Sequence, residues 1–130
     1  MNLSGKTVLI TGAAKRIGRE IALVLASRGA SIAIHCRKSL SQARALEREI
    51  KKSGAGAFVI QEDFEPGTGR SLEKKIRKFT AKLYRRAGRV DALVNNAAIF
   101  YPTPFGKIRE KDWDAFMNIN LKFLLISLSS

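Results

Sequence analysis

Thr11-Gly12-Ala13-Ala14-Lys15-Arg16-Ile17-Gly18 follows the apolar run Thr7-Val8-Leu9-Ile10 and opens a helical pattern at Ile17. A buried strand, a tight turn and a helix start in that order offer a site for phosphate. The first N–H groups of a helix have no intrahelical partner, and the helix dipole adds partial positive charge there. Gly12 lets the chain turn sharply after the strand. Gly18 lets the helix approach the sheet, or a ligand, with no Cβ in the way. The spacing is not G-x-G-x-x-G. On spacing alone, a phosphate loop and an ordinary strand-to-helix turn fit equally well.

Working outward, Ile17, Ile21, Ala22, Val24 and Leu25 read as the apolar stripe of a helix that stops at Gly29. Ala30 to Cys36 reads as a second strand. Ser39 and Gln42 have capping-box spacing for a helix carrying Ala43, Leu46 and Ile50, which ends near Gly54. Ala57 to Ile60 fits a third strand, with a loop at Asp63 and Pro66-Gly67. A basic helix follows and stops at Gly88. Asp91 to Val94 makes a fourth strand, leading into Asn95-Asn96-Ala97-Ala98, and a last helix starts near Glu110. Strand alternating with helix four times predicts an α/β fold, a doubly wound parallel sheet of Rossmann-like type with strand order 3-2-1-4. Ligands in such sheets sit beyond the carboxyl ends of the strands.

A chain of 130 residues, 45% hydrophobic and 27% charged, fits one globular domain, and residues 1–130 are expected to form it. No apolar run reaches membrane-spanning length, and the start carries no apolar segment of signal-peptide type. The single cysteine, Cys36, excludes an internal disulfide and fits a reducing cytoplasm. His35 and Cys36 alone cannot make a zinc site, so no metal is expected. The net charge of +13 is concentrated between Arg70 and Arg89, where nine basic residues face one acid, Glu73. Leu72, Ile76, Phe79, Leu83 and Ala87 recur there at helical spacing, which leaves the cations on a solvated helix face. With no aromatic interleaving and no nucleic-acid motif, neither nucleic acid nor membrane is an expected partner.

The end of the second strand bears on cofactor choice. An NAD site usually places Asp or Glu there for the ribose hydroxyls, and a site for the 2′-phosphate of NADP uses a cation. This sequence has Arg37 and Lys38 with no acid beside them, and Lys15 and Arg16 on the turn. Arginine can grip a phosphate bidentately and lysine adds a point charge. The alternative is that these are four among 24 surface cations. Asn120 is the polar exception on the Trp113, Phe116, Met117, Leu124 face, either a structural bridge or a site residue.

Together these motifs resemble the N-terminal half of a short-chain dehydrogenase/reductase. Thr-Gly-x-x-x-x-x-Gly is similar to the family's glycine motif, with Arg16 where most members have the middle Gly. Asn95-Asn96-Ala97-Ala98 resembles its Asn-Asn-Ala-Gly, with Ala98 in place of Gly. The resemblance implies an NADP(H) site formed by Gly12, Lys15, Arg16, Ile17, Gly18, Arg37, Lys38, Ser39, Asp63, Phe64, Asn95, Ala97 and Ala98. Asp63 matches the acid that contacts the adenine amino group. Asn120, in Asn118-Ile119-Asn120-Leu121-Lys122, matches the catalytic-tetrad Asn that holds a proton-relay water. A narrower likeness to pteridine reductases rests on Arg16, His35, Arg37-Lys38-Ser39 and Asn-Asn-Ala-Ala-Ile-Phe-Tyr-Pro-Thr-Pro. It implies that Phe100 stacks on a pterin ring.

The family's chemistry needs a Ser and a Tyr-x-x-x-Lys, in which Lys lowers the Tyr pKa. Tyr84 is followed four residues on by Gly88, and Tyr101 by Phe105, so neither fits. The expectation is a truncated chain carrying the cofactor half of an NADPH-dependent reductase acting on a small carbonyl or pterin substrate. It is expected to be inactive alone and poorly soluble, with its fourth strand an exposed edge, and to be a homo-tetramer or dimer at full length. A non-catalytic nucleotide-binding or interaction module is the second class compatible with the residues. A polyanion-binding protein is the third, separable by the salt dependence of DNA binding.

Overall fold

Thr7 to Ile10 and Ile32 to Cys36 are each buried residue after residue, as parallel strands covered on both faces are. A computed structural model describes residues 2–64 and 72–96. They form β1 (Thr7–Ile10), α1 (Arg16–Ser27), β2 (Ser31–Cys36), α2 (Leu40–Lys52), β3 (Ala57–Gln61), α3 (Leu72–Ala87) and β4 (Ala92–Val94). The strands pair in the order β3-β2-β1-β4, every pairing parallel. This is the expected Rossmann-like α/β arrangement, with the expected order. Strand limits differ from the sequence reading by one residue: β2 starts at Ser31, β3 extends to Gln61 and β4 starts at Ala92.

Residues 1–63 and 82–96 make one compact unit, and α3 contributes to both that unit and a second. In the first, Val8, Ile10, Ile32, Ile34 and Val59 from the sheet meet Ala22, Ala26, Ala43, Leu46 and Ile50 from α1 and α2. The buried face of α1 is Gly18, Ala22 and Ala26, a line of small residues that brings the helix close to the strands. The apolar stripe read from the sequence is corrected at two positions: Ile17 is 70% exposed and Val24 57%, whereas Ala22 is buried and Ile21 and Leu25 pack, partly buried, against the core. The α2 reading holds for Ala43, Leu46 and Ile50, all buried. The capping box does not: Ser39 is the N-cap residue, but its side chain makes no cap hydrogen bond.

β4 is pinned at its start by a reciprocal pair. Thr7 N–H donates to Asp91 Oδ2 (2.8 Å), and Asp91 N–H donates to the Thr7 carbonyl (2.8 Å). The Arg89 guanidinium bonded to Asp91 holds its carboxyl below the usual carboxylate value. In the second unit, Phe64 and Phe79 meet edge to face, ring centroids 5.2 Å apart and planes at 82°. No described helix is long and apolar enough to cross a membrane.

Candidate functional site at the carboxyl ends of the strands

The chain leaves β1 through Thr11, fully buried, and turns at Gly12 with φ +63°. Only a residue without a Cβ adopts that geometry at low cost. Lys15 is extended (φ −153°, ψ 167°) and caps α1, and Arg16 opens the helix at φ +58°. A positive φ at an arginine costs roughly 1–2 kcal/mol, a cost glycine would not carry. Gly18 is buried. A Cβ on it would lie 2.5 Å from the Gly12 carbonyl oxygen and 2.5 Å from Asn96 Nδ2. The close approach expected at Gly18 is present, but to the turn and the Asn96 side chain rather than to the sheet or a ligand.

Two neighbouring strands hold the turn. On the β4 side, Thr11 N–H donates to the Val94 carbonyl (3.1 Å) and Asn96 Nδ2 donates to the Gly12 carbonyl (3.1 Å). The Thr11 hydroxyl lies 3.3 Å from Asn95 Oδ1. On the β2 side, Gly12 N–H donates to His35 Nδ1 (3.0 Å) and Ala13 N–H donates to the His35 carbonyl (3.0 Å). His35 Nε2 lies 2.9 Å from the Glu62 carbonyl, just past β3. Since Gly12 supplies an N–H and Glu62 a carbonyl, the ring is neutral with its proton on Nε2. Burial pushes the His35 pKa down to about 4, against smaller upward pulls from the Glu62 hydrogen bond and the Asp63 carboxylate.

The cations stand around this frame. Arg37, at the β2 end, is half-buried with its Nε 3.3 Å from Asp63 Oδ1. Lys38 is exposed beside it, and Ser39 starts α2. Lys15, Arg16 and Ile17 are exposed at the α1 start. A dinucleotide fits this donor set: the N-terminus of α1 for phosphates, the positive-φ turn at Gly12 just before it, and cations at the next strand end. Phe64 belongs to the second unit, where its ring is buried on Phe79. Ala97, Ala98, Phe100 and Asn120 lie outside the described residues.

The model of the short chain dehydrogenase family matches residues 6–128. The chain belongs to that family. A relative is the 3-oxoacyl-(acyl-carrier-protein) reductase FabG of Staphylococcus epidermidis, 35% identical over 117 residues, covering 90% of this chain and 46% of the relative. Among solved structures, a short chain dehydrogenase from Burkholderia cenocepacia in complex with NADP superposes with a TM-score of 0.87. It is 32% identical and the match covers 99% of this chain and 50% of the other. FolM alternative dihydrofolate reductase 1 from Brucella canis, complexed with NADP, gives 0.86 at 34% identity, covering 98% and 48%. This short-chain dehydrogenase chain thus spans about half the length of the curated relatives it matches, 46% in the first case.

Within the short-chain dehydrogenase frame, an oxidoreductase fold, the strand order reverses between β1 and β4, and the glycine turn lies at that switch point. The structure places Gly12 and Gly18 at the turn and pairs Arg37 with Asp63 at the ends of β2 and β3, while the sequence reading missed His35 as a structural bridge, and Asn96 and Asp91 as ties. The signal for His35 was present. A histidine inside an apolar strand has two polar ring atoms that burial obliges to find partners.

Proposed function

We propose that this chain is the NADP(H)-binding part of a short-chain dehydrogenase/reductase that reduces a carbonyl or a pterin C=N bond. The observation that carries the reading is Arg37, followed by Lys38 and Ser39, at the β2 end beside the glycine turn, where an NAD site has an acid. When bound, the cofactor supplies the hydride. The residues of this chain bind and orient it. Arg37, Lys38 and Ser39 take the 2′-phosphate, with Arg16 and Lys15 adding positive charge at the α1 start. Asp63 takes the adenine amino group, and Gly12 and Gly18 admit the phosphates. Exposed Ile17 becomes covered by the ligand. For Phe64, Asn95, Ala97 and Ala98 as cofactor-binding residues, and Asn120 as the holder of a proton-relay water, the support is the resemblance of their sequence motifs to those of the family. The NADP complexes of the two structural relatives support the cofactor, and the FolM likeness supports a pterin-type substrate over which Phe100 stacks. The full-length protein is proposed to be a homo-dimer or homo-tetramer in the cytoplasm.

The test is fluorescence titration of the protein carrying this chain with NADPH and NADH. A charge-assisted contact contributes about 1.5–3 kcal/mol, so NADPH should bind at least tenfold more tightly. Replacing both Arg37 and Lys38 by Ala should abolish the preference. Equal affinities in the wild type, or an unchanged ratio in the variant, would overturn the assignment. For the substrate, Phe100→Ala should raise KM for a dihydropterin and leave the melting temperature nearly unchanged. A collapse in melting temperature would make Phe100 a packing residue instead.

A further inference from the structure

β1 and β3 are not neighbours in the sheet: β2 lies between them, so their ends are roughly 10 Å apart. No backbone hydrogen bond can join the Gly12 turn after β1 to Glu62 and Asp63 after β3. His35, on the intervening strand, spans that gap with its ring, accepting from Gly12 N–H (3.0 Å) on one side and meeting the Glu62 carbonyl (2.9 Å) on the other. Its backbone extends the tie, since its carbonyl accepts from Ala13 N–H and the next carbonyl, Cys36, accepts from Glu62 N–H (3.1 Å). His35 as a whole is only 3% exposed, so water cannot replace its ring cheaply.

We propose that His35 is a positioning residue for the dinucleotide, fixing the phosphate turn and the β3 end at the separation one extended ligand requires. The inference rests on reading the site as a dinucleotide site. Its physical content is specific. The imidazole touches no ligand group; it acts through Gly12 on the phosphate end and through Glu62 on the segment that carries Asp63. Because the phosphate turn is common to both nicotinamide cofactors, loss of the bridge weakens NADPH and NADH by the same factor. Loss of Arg37 instead changes the ratio between them.

Affinities for NADPH and NADH are measured on the wild-type protein, His35→Leu, His35→Asn and Arg37→Ala. His35→Leu, which keeps the bulk and removes both polar atoms, should weaken both cofactors about tenfold with their ratio unchanged. His35→Asn places an amide oxygen near the Nδ1 position but does not reach Glu62, and should recover only the part of the loss carried by the Gly12 contact, a partial rescue that bulk packing would not give. A second arm follows NAD+ affinity from pH 7 towards 4. Wild-type binding should fall at the acid end, where a protonated ring repels Gly12 N–H, and the profile of His35→Asn should be flatter. The charged groups beside the ring, Asp63 and its partner Arg37, are present in both proteins and cancel in the comparison. Wild-type binding with unchanged affinity in a folded His35→Leu, or parallel pH profiles, overturns this inference alone. Absence of any cofactor binding by the wild type overturns the site reading and this inference with it. If His35→Leu fails to fold, the pH comparison decides.

Discussion

A methyl group at position 18 would stand 2.5 Å from a backbone oxygen, that of Gly12, and an oxygen fixed in a turn cannot rotate away. Gly18→Ala should therefore destabilise the protein by about 1–3 kcal/mol, as overpacking does, read from the denaturant midpoint. Two residues earlier the sign reverses. Arg16 holds φ +58°, which glycine adopts freely, so Arg16→Gly should be neutral or stabilising by up to about 1 kcal/mol. On the proposed NADP(H) reading, the same variant should weaken NADPH, since it removes the cation assigned to the phosphates. His35 ties stability to pH. Its ring stays neutral in the folded state down to about 4, whereas the unfolded chain takes up the proton near 6.5. The contribution is complete above pH 6.5 and is lost as pH falls towards 4, about 3 kcal/mol in all. Urea midpoints at pH 7 and pH 4.5 should fall further apart for the wild type than for His35→Asn. Equal shifts would show that the ring is not held neutral.

At the scale of elements, the edge strand β3 is guarded by α3. Arg86 places its guanidinium 4.4 Å from the centre of the Phe58 ring and donates to the Val59 carbonyl (2.6 Å). An edge strand otherwise offers such carbonyls to another chain. Arg86→Ala should cost about 1 kcal/mol and raise light scattering on storage, whereas Arg86→Lys should recover part of the charge but not the bond geometry. No difference between Arg86→Ala and wild type in either measurement would remove this role. The helices show what periodicity can and cannot reveal. Ala43, Leu46 and Ile50 on α2 were legible because a large-residue stripe faced the sheet. On α1 the same rule pointed to Ile17 and Val24, which are exposed. A glycine–alanine line bought its burial through closeness, and hydrophobicity alone does not register that.

For the whole molecule, the +13 charge and the sheet edges set solution behaviour. Among the described strands β4 pairs only with β1, and Ala92, Leu93 and Val94 lie at that edge. Duplex DNA of random sequence should not bind at physiological salt; tight binding with a steep salt slope would favour the polyanion-binding class instead.

The amino-acid sequence by itself determined the α/β class, the glycine turn and the cations at the β2 end. Each of these is written in local pattern: apolar runs of strand length, helical spacing, glycine at the turn, and the type of residue that follows a strand. Tertiary structure alone decided which atoms secure the turn. His35 reaches Gly12 across 23 positions and Glu62 across 27, while Asn96 reaches Gly12 across 84. Such partners are chosen by the parallel register of the sheet, which brings strand ends together whatever their distance along the chain. The pairing of Arg37 with Asp63 was decided in the same way, by the adjacency of β2 and β3.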